Sequence, residues 1–143
     1  MGKKFYSSKF NRGLTLDHQL FKMNSIFPDF RYSKNRNSLT WHGYLSPSPS
    51  SPNYFIEVLY QYPRSPKVKV LSHQFSHDCP HLYSDNSLCL FYPQDRSWNK
   101  YLYISDTILP WTIEWLTLYE LWKITGYWAG PEAAHTGEKN PAI

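Results

Sequence analysis

Ser38-Leu39-Thr40-Trp41-His42-Gly43-Tyr44-Leu45 is the stretch on which the architecture turns. Leu39, Trp41, Gly43 and Leu45 alternate with Thr40, His42 and Tyr44, and that period of two suits a half-buried strand. Ser46-Pro47-Ser48-Pro49-Ser50-Ser51-Pro52-Asn53 follows, and its prolines lack the amide hydrogens a sheet ladder needs. It reads as an exposed hairpin-type connector rather than a domain linker. Residues Tyr54 to Tyr62 are rich in β-branched and aromatic side chains and predict a second strand, and Lys67-Val68-Lys69-Val70-Leu71 alternates as a third. The turn between them, Tyr62-Pro63-Arg64-Ser65-Pro66, is too short for a parallel crossover, so an antiparallel meander of about four strands is expected.

Outward from the sheet, Leu14, Leu16, Leu20, Phe21 and Phe27 have helical spacing and predict a helix from about Thr15 to Phe27, ended by Pro28. On the other side, Asp106-Thr107 before Ile108-Leu109-Pro110 is a helix-start signature with a capping side chain. That helix should run from about Leu109 to Thr125 and stop at Gly126. Trp111, Trp115, Leu118 and Trp122 form one stripe, widened by Ile113, Leu116 and Ile124, as in a core helix packed on the sheet. The fold class expected is α+β: an N-terminal helix, the meander, a long loop and a tryptophan-rich helix across the sheet. Residues 1–13, with Lys3, Lys4, Lys9 and Arg12, read as a basic arm, residues 14–130 as the domain and residues 131–143 as a polar tail carrying His135.

The chain has 143 residues, 18% of them aromatic, which is enough for one domain with a real core. Lys and Arg number 15 against 11 acidic residues, for a net charge of +4. Such a mild excess permits an acidic partner and does not call for nucleic acid. Cys79 and Cys89 are too few for a secreted disulfide scaffold, and the first thirty residues show no apolar signal core, so a reducing, cytoplasmic setting is expected. The most apolar run, Ile108 to Trp122, is broken by Pro110, Thr112, Glu114, Thr117 and Glu120, and no membrane span is expected. Met1-Gly2 is not a myristoylation signal, because Tyr6 stands where Ser or Thr is needed. No Gly-rich phosphate loop and no Ser-His-Asp arrangement can be picked out, so no cofactor is assigned.

Chemistry is expected in the long excursion from Asp78 to Pro93, which holds both cysteines. Cys89 lies beyond a polar turn and before Leu90-Phe91-Tyr92, a position where the backbone can be anchored while the sulfur faces the loop. The alternative is a buried, inert thiol. His73, His77, Cys79, His81 and Cys89 also carry zinc-type ligands, but in no standard zinc spacing; no metal ligand is assigned, and a zinc-stabilised structural protein stays as an alternative.

Tyr62-Pro63-Arg64-Ser65-Pro66-Lys67-Val68, followed by Cys79-Pro80-His81-Leu82-Tyr83-Ser84-Asp85-Asn86-Ser87-Leu88-Cys89-Leu90, resembles the ubiquitin-conjugating enzymes. In their pattern a Tyr-Pro-rich turn precedes a strand, and His-Pro-Asn, a Tyr, a Gly-containing turn and an aliphatic residue lead to the catalytic Cys. Here Cys79-Pro80-His81 takes the His-Pro-Asn place, Tyr83 matches, Asn86 stands at the Gly, and Leu88-Cys89-Leu90 is the nucleophile segment. The likeness covers roughly Leu39 to Pro93. A closer resemblance is to the stand-alone bacterial branch found beside cGAS-like nucleotidyltransferases in antiphage defence (CBASS) operons. It rests on His81-x-Tyr83, Leu88-Cys89-Leu90-Phe91, Pro110-Trp111, Glu114-Trp115-Leu116, Tyr119-Glu120 and Thr125-Gly126 leading into Trp128.

The resemblance implies a ubiquitin-conjugating-enzyme-like fold lacking the last helices of the eukaryotic enzymes. It also implies an acyl transferase that carries a partner protein's C-terminus as a thioester on Cys89, the nucleotidyltransferase being the cargo. That cargo would arrive already activated; whether a separate activating enzyme is required stays open, and the basic arm is a docking candidate for one. Cys suits the task because its thiolate forms near neutral pH and also leaves well. His81 would donate a hydrogen bond to the oxyanion or hold a proton, or else only cap the loop backbone. Tyr83, Asp85, Asn86 and Ser87 are supporting residues; Asp85 and Ser87 suit turn-stabilising bonds, and Asn86 can adopt a left-handed backbone. Cys79 would pack as a small apolar side chain or form a reversible disulfide with Cys89. A non-catalytic scaffold of the same fold remains the competing reading, and cargo and acceptor amine stay open.

Overall fold

Thr15 opens the first helix, α1 (Leu16–Ile26), because its hydroxyl accepts the His18 amide at 3.1 Å while His18 Nδ1 accepts the Thr15 amide at 3.1 Å. Two of the amides a helix start leaves unpaired are thereby satisfied. The computed structural model describes residues 13–91 and 97–130. The basic arm up to residue 12, the end of the long loop at Tyr92 and Pro93, and the tail with His135 lie outside the described residues. Gln19 is buried on α1 and uses both ends of its amide: Nε2 donates to the Leu102 carbonyl and Oε1 accepts from the Ile104 amide, each at 2.9 Å. These bonds dock α1 on the 3-10 turn Ile104–Asp106.

Four antiparallel strands form one sheet in sequence order: β1 (Arg31–Lys34), β2 (Ser38–Leu45), β3 (Tyr54–Gln61) and β4 (Lys67–Val70). Trp41 faces Val58, Leu39 faces Tyr60, and Val58 faces Val68, so one face collects the apolar side chains that the period of two predicted. β1 supplies the fourth strand, which no sequence pattern singled out. All four of its residues are exposed at the sheet edge, so burial leaves no periodic signal there. Gly43 has its own reason: a Cβ at that position would overlap the Phe30 ring.

The second helix, α2 (Ile108–Thr125), ends at Gly126, whose φ of 78° lies in the left-handed region that glycine enters without strain. Two expectations for this helix are corrected. Thr107 sits at the N-cap position, but its hydroxyl donates backwards to the Tyr103 carbonyl and accepts from Trp98 Nε1, so it caps no helix amide. The fully buried face consists of Ile108, Leu109, Thr112, Trp115, Leu116 and Tyr119 rather than the stripe through Trp111, Leu118 and Trp122, which are half-buried, while Ile124 is 80% exposed. A helix apolar on most sides does not fix its own phase. Rings of His73 and Phe75, from the segment after β4, insert between sheet and helix: His73 meets Tyr54 at 4.8 Å, and Phe75 meets Trp115 at 5.3 Å and Tyr119 at 4.8 Å. Glu120 pins the helix to the β2–β3 connection by accepting from Ser51 at 2.8 Å and Tyr54 at 2.7 Å. Among the described residues no helix is long and apolar enough to cross a membrane.

Candidate functional site

The candidate site is a small hairpin between β4 and α2. The Cys89 amide donates to the His81 carbonyl at 2.9 Å, Leu82 and Leu88 form a bridge, the Tyr83 amide donates to Ser87, and the Asn86 amide donates back to Tyr83. Asn86 has φ 71°, so the tip is a three-residue turn whose last position is left-handed, a place that glycine or asparagine fills at least cost. The expected substitution of Asn86 for a turn glycine therefore has a structural reason.

Asp85 locks that tip. Its Oδ1 accepts from the Ser87 amide at 2.9 Å and the Ser87 hydroxyl at 2.6 Å, and its Oδ2 accepts from Lys67 Nζ at 2.7 Å. The Lys67 ammonium and the two Ser87 donors hold the carboxyl well below the usual carboxylate range. Lys67 belongs to β4, and the Leu88 amide donates to Val68 of the same strand at 2.9 Å, so the hairpin is fastened to the sheet twice. Asp85 and Ser87 shape the turn, and Tyr83 lies at the tip, 48% exposed.

At the hairpin's other end, His81 and Cys89 are brought together by their backbones. His81 has φ 58°, a conformation few bulky residues take, and its carbonyl receives a second bond from Trp115 Nε1 at 3.1 Å. Its imidazole packs against Trp128 with ring centroids 4.9 Å apart. Sequence reasoning placed Trp115 in the core without its donor role; a buried indole N–H needs an acceptor, but nothing in the sequence names His81 as that acceptor.

The expectation of an accessible sulfur is corrected: Cys89 is only 4% exposed and belongs to the core cluster with Leu88 and Leu90. Leu90, next to it, is 1% exposed in the same cluster. Cys79 is 7% exposed, its sulfur lies 3.6 Å from the Pro80 carbonyl, and burial pushes its thiol up to about 12. At neutral pH Cys79 is a protonated packing group. Neither cysteine is in a disulfide. His73, His77, Cys79, His81 and Cys89 do not converge: among the described residues no group of three or more His, Cys, Asp or Glu is arranged to hold a metal. His73 is instead surrounded by rings, and His77 is exposed. The zinc-stabilised alternative therefore has no ligand set among these residues.

A hairpin carrying His81 and Cys89, set between a four-stranded meander and a tryptophan-rich helix, lies within residues 19–136, which match the family model of the type II CBASS E2 protein. The chain belongs to the E2-CBASS family. Membership gives it an E2-like role in CBASS antiviral defence and association with other proteins of such systems. No curated protein is significantly similar to this E2-CBASS chain in sequence. Both the hairpin and the two tryptophans, Trp115 and Trp128, fall inside the matched segment.

Proposed function

We propose that this E2-CBASS chain is a thioester-forming transferase of ubiquitin-conjugating-like fold, with residues 14–130 as the working domain. In this reading Cys89 carries the C-terminus of a partner protein, a cGAS-like nucleotidyltransferase. The observation that carries the reading is the bond from the Cys89 amide to the His81 carbonyl within a segment matched by the family model.

The cargo arrives activated by a separate enzyme. The Cys89 thiol loses its proton to solvent, and the thiolate attacks the activated carbonyl carbon. A C–S bond forms as the activating group departs with its electron pair. An acceptor amine then attacks the thioester carbonyl, the C–S bond breaks, and the thiolate leaves with its electrons while the amine's proton passes to the His81 imidazole or to water. His81 serves the developing oxyanion or the departing proton. Because Cys89 is 4% exposed, loading includes an opening step in which the side chains over it move.

Intact mass of the chain mixed with its partner and activating enzyme tests this. A covalent adduct that hydroxylamine or thiol removes, absent in Cys89→Ala and retained in Cys79→Ala, is the expected result. One observation favours a second reading, a non-catalytic scaffold: the burial of Cys89 is what an inert packing thiol also shows. Equal complex formation by Cys89→Ala, with no adduct trapped at any time, decides for the scaffold.

A further inference from the structure

The segment that follows α2 reaches back to the hairpin, and its contact with His81 has no assigned role. Gly126 turns the chain at φ 78°, the Thr125 hydroxyl accepts the Tyr127 amide at 3.1 Å, and Trp128 is thereby delivered to a site where it is 1% exposed. One side of its indole environment is the His81 imidazole at 4.9 Å between centroids, and another is Trp115 at 5.5 Å. Trp115 in turn holds the His81 carbonyl through its Nε1.

We propose that Trp128 is a positioning residue, whose indole fixes the orientation of the His81 imidazole for the amine-transfer step. The inference rests on the transfer reading above. The His81 backbone is already fixed: its left-handed φ of 58° is held by donors from Cys89 and Trp115 onto one carbonyl. Its side-chain torsions are not fixed by those bonds, and a ring that is itself fully packed restricts them. Trp128 Nε1 is buried with no hydrogen-bond partner among the described residues. Unsatisfied buried donors are rare in folded proteins, and packing alone would be served as well by phenylalanine. The indole meets the His81 imidazole at a tilt, with 54° between the ring planes, and its packing there limits the rotation of that ring. α2, its glycine cap and the returning segment then act as a splint on the imidazole, while β4 holds the opposite end of the same hairpin.

The test uses the full chain, loaded on Cys89 by exchange with a glycine-terminated peptide thioester of 2-mercaptoethanesulfonate and discharged onto free lysine. Trp128→Leu should leave loading within about twofold and slow discharge about tenfold, the scale of a misoriented proton-handling group. Trp128→Phe, which keeps a ring and tests the case in which Leu prevents folding, should slow discharge by about threefold or less. The double variant Trp128→Leu with His81→Ala should discharge no more slowly than His81→Ala alone. In the unloaded protein, NMR signals of the His81 ring protons should shift in both Trp128 variants. Loading and discharge impaired alike, additive losses in the double variant, or His81 signals unchanged would each overturn the proposal. If wild-type Cys89 takes no acyl group, the transfer reading falls, and the His81 signals still decide whether Trp128 orients the ring.

Discussion

Cys79 and Cys89 sit ten positions apart in one loop and are buried almost equally, at 7% and 4% exposure, yet their surroundings differ in kind. The Cys79 amide bonds to Ser76, three residues back, and its sulfur to the adjacent Pro80 carbonyl, so both of these bonds are local. Cys89 is tied across a hairpin to His81, and through that hairpin to β4 by Leu88 and Lys67 and to α2 by Trp115. Burial alone therefore does not distinguish the two thiols; what differs is that the Cys89 backbone is held relative to groups on several elements.

The largest effect that could break this contrast concerns reactivity. With its thiol at about 12, Cys79 should react with iodoacetamide at pH 7.5 about a thousandfold more slowly than an ordinary thiol, since only the thiolate attacks. Peptide mapping should find Cys89 modified first; Cys79 modified first would break the contrast.

Stability at alkaline pH comes next. The Cys79 thiol is raised from 9.0 to about 12 in the folded chain, so its contribution is fully present below about pH 9 and is lost as pH rises toward 12. The loss amounts to about 1.4 kcal/mol per pH unit over that window. Urea unfolding of Cys79→Ala should show a correspondingly flatter decline between about pH 9 and 11. An identical decline in the variant would contradict the assignment.

Trp115→Phe removes one of two donors to the His81 carbonyl and should cost about 1 kcal/mol, because the Cys89 amide still satisfies that oxygen. The same variant should shift the His81 ring signals, which a distant core change would leave in place. The smallest effect belongs to Asp85. Its folded-state carboxyl is depressed, so its contribution is present above the ordinary carboxylate range near pH 4 and is lost as pH falls through that of the folded state. The Lys67–Asp85 pair is substantially exposed and screened, so Asp85→Asn at pH 7 should cost under about 1 kcal/mol, less in high salt.

Much of this was legible in the chain. The apolar spacing from Leu14 to Phe27 announced α1, the alternation around Trp41 gave β2, and Gly126 marked the end of α2, each through a local rule. β1 was not legible because an exposed edge strand has no buried face to pattern it. The phase of α2 was missed because apolar residues surround that helix, and the sheet and the rings of His73 and Phe75 choose its buried side. At the site, the turn chemistry of Asp85, Asn86 and Ser87 followed from residue type. The enclosure of Cys89 and the reach of Trp115 and Trp128 to His81 depend on elements distant in sequence, which no local pattern encodes.

The most direct measurement is peptide mapping of the covalent species formed when this E2-CBASS chain meets its activated partner. The expected result is one thiol-labile bond joining the partner's C-terminal residue to the peptide containing Cys89. A partner joined to Cys79, or a complex that never becomes covalent although the partner is activated, would contradict it.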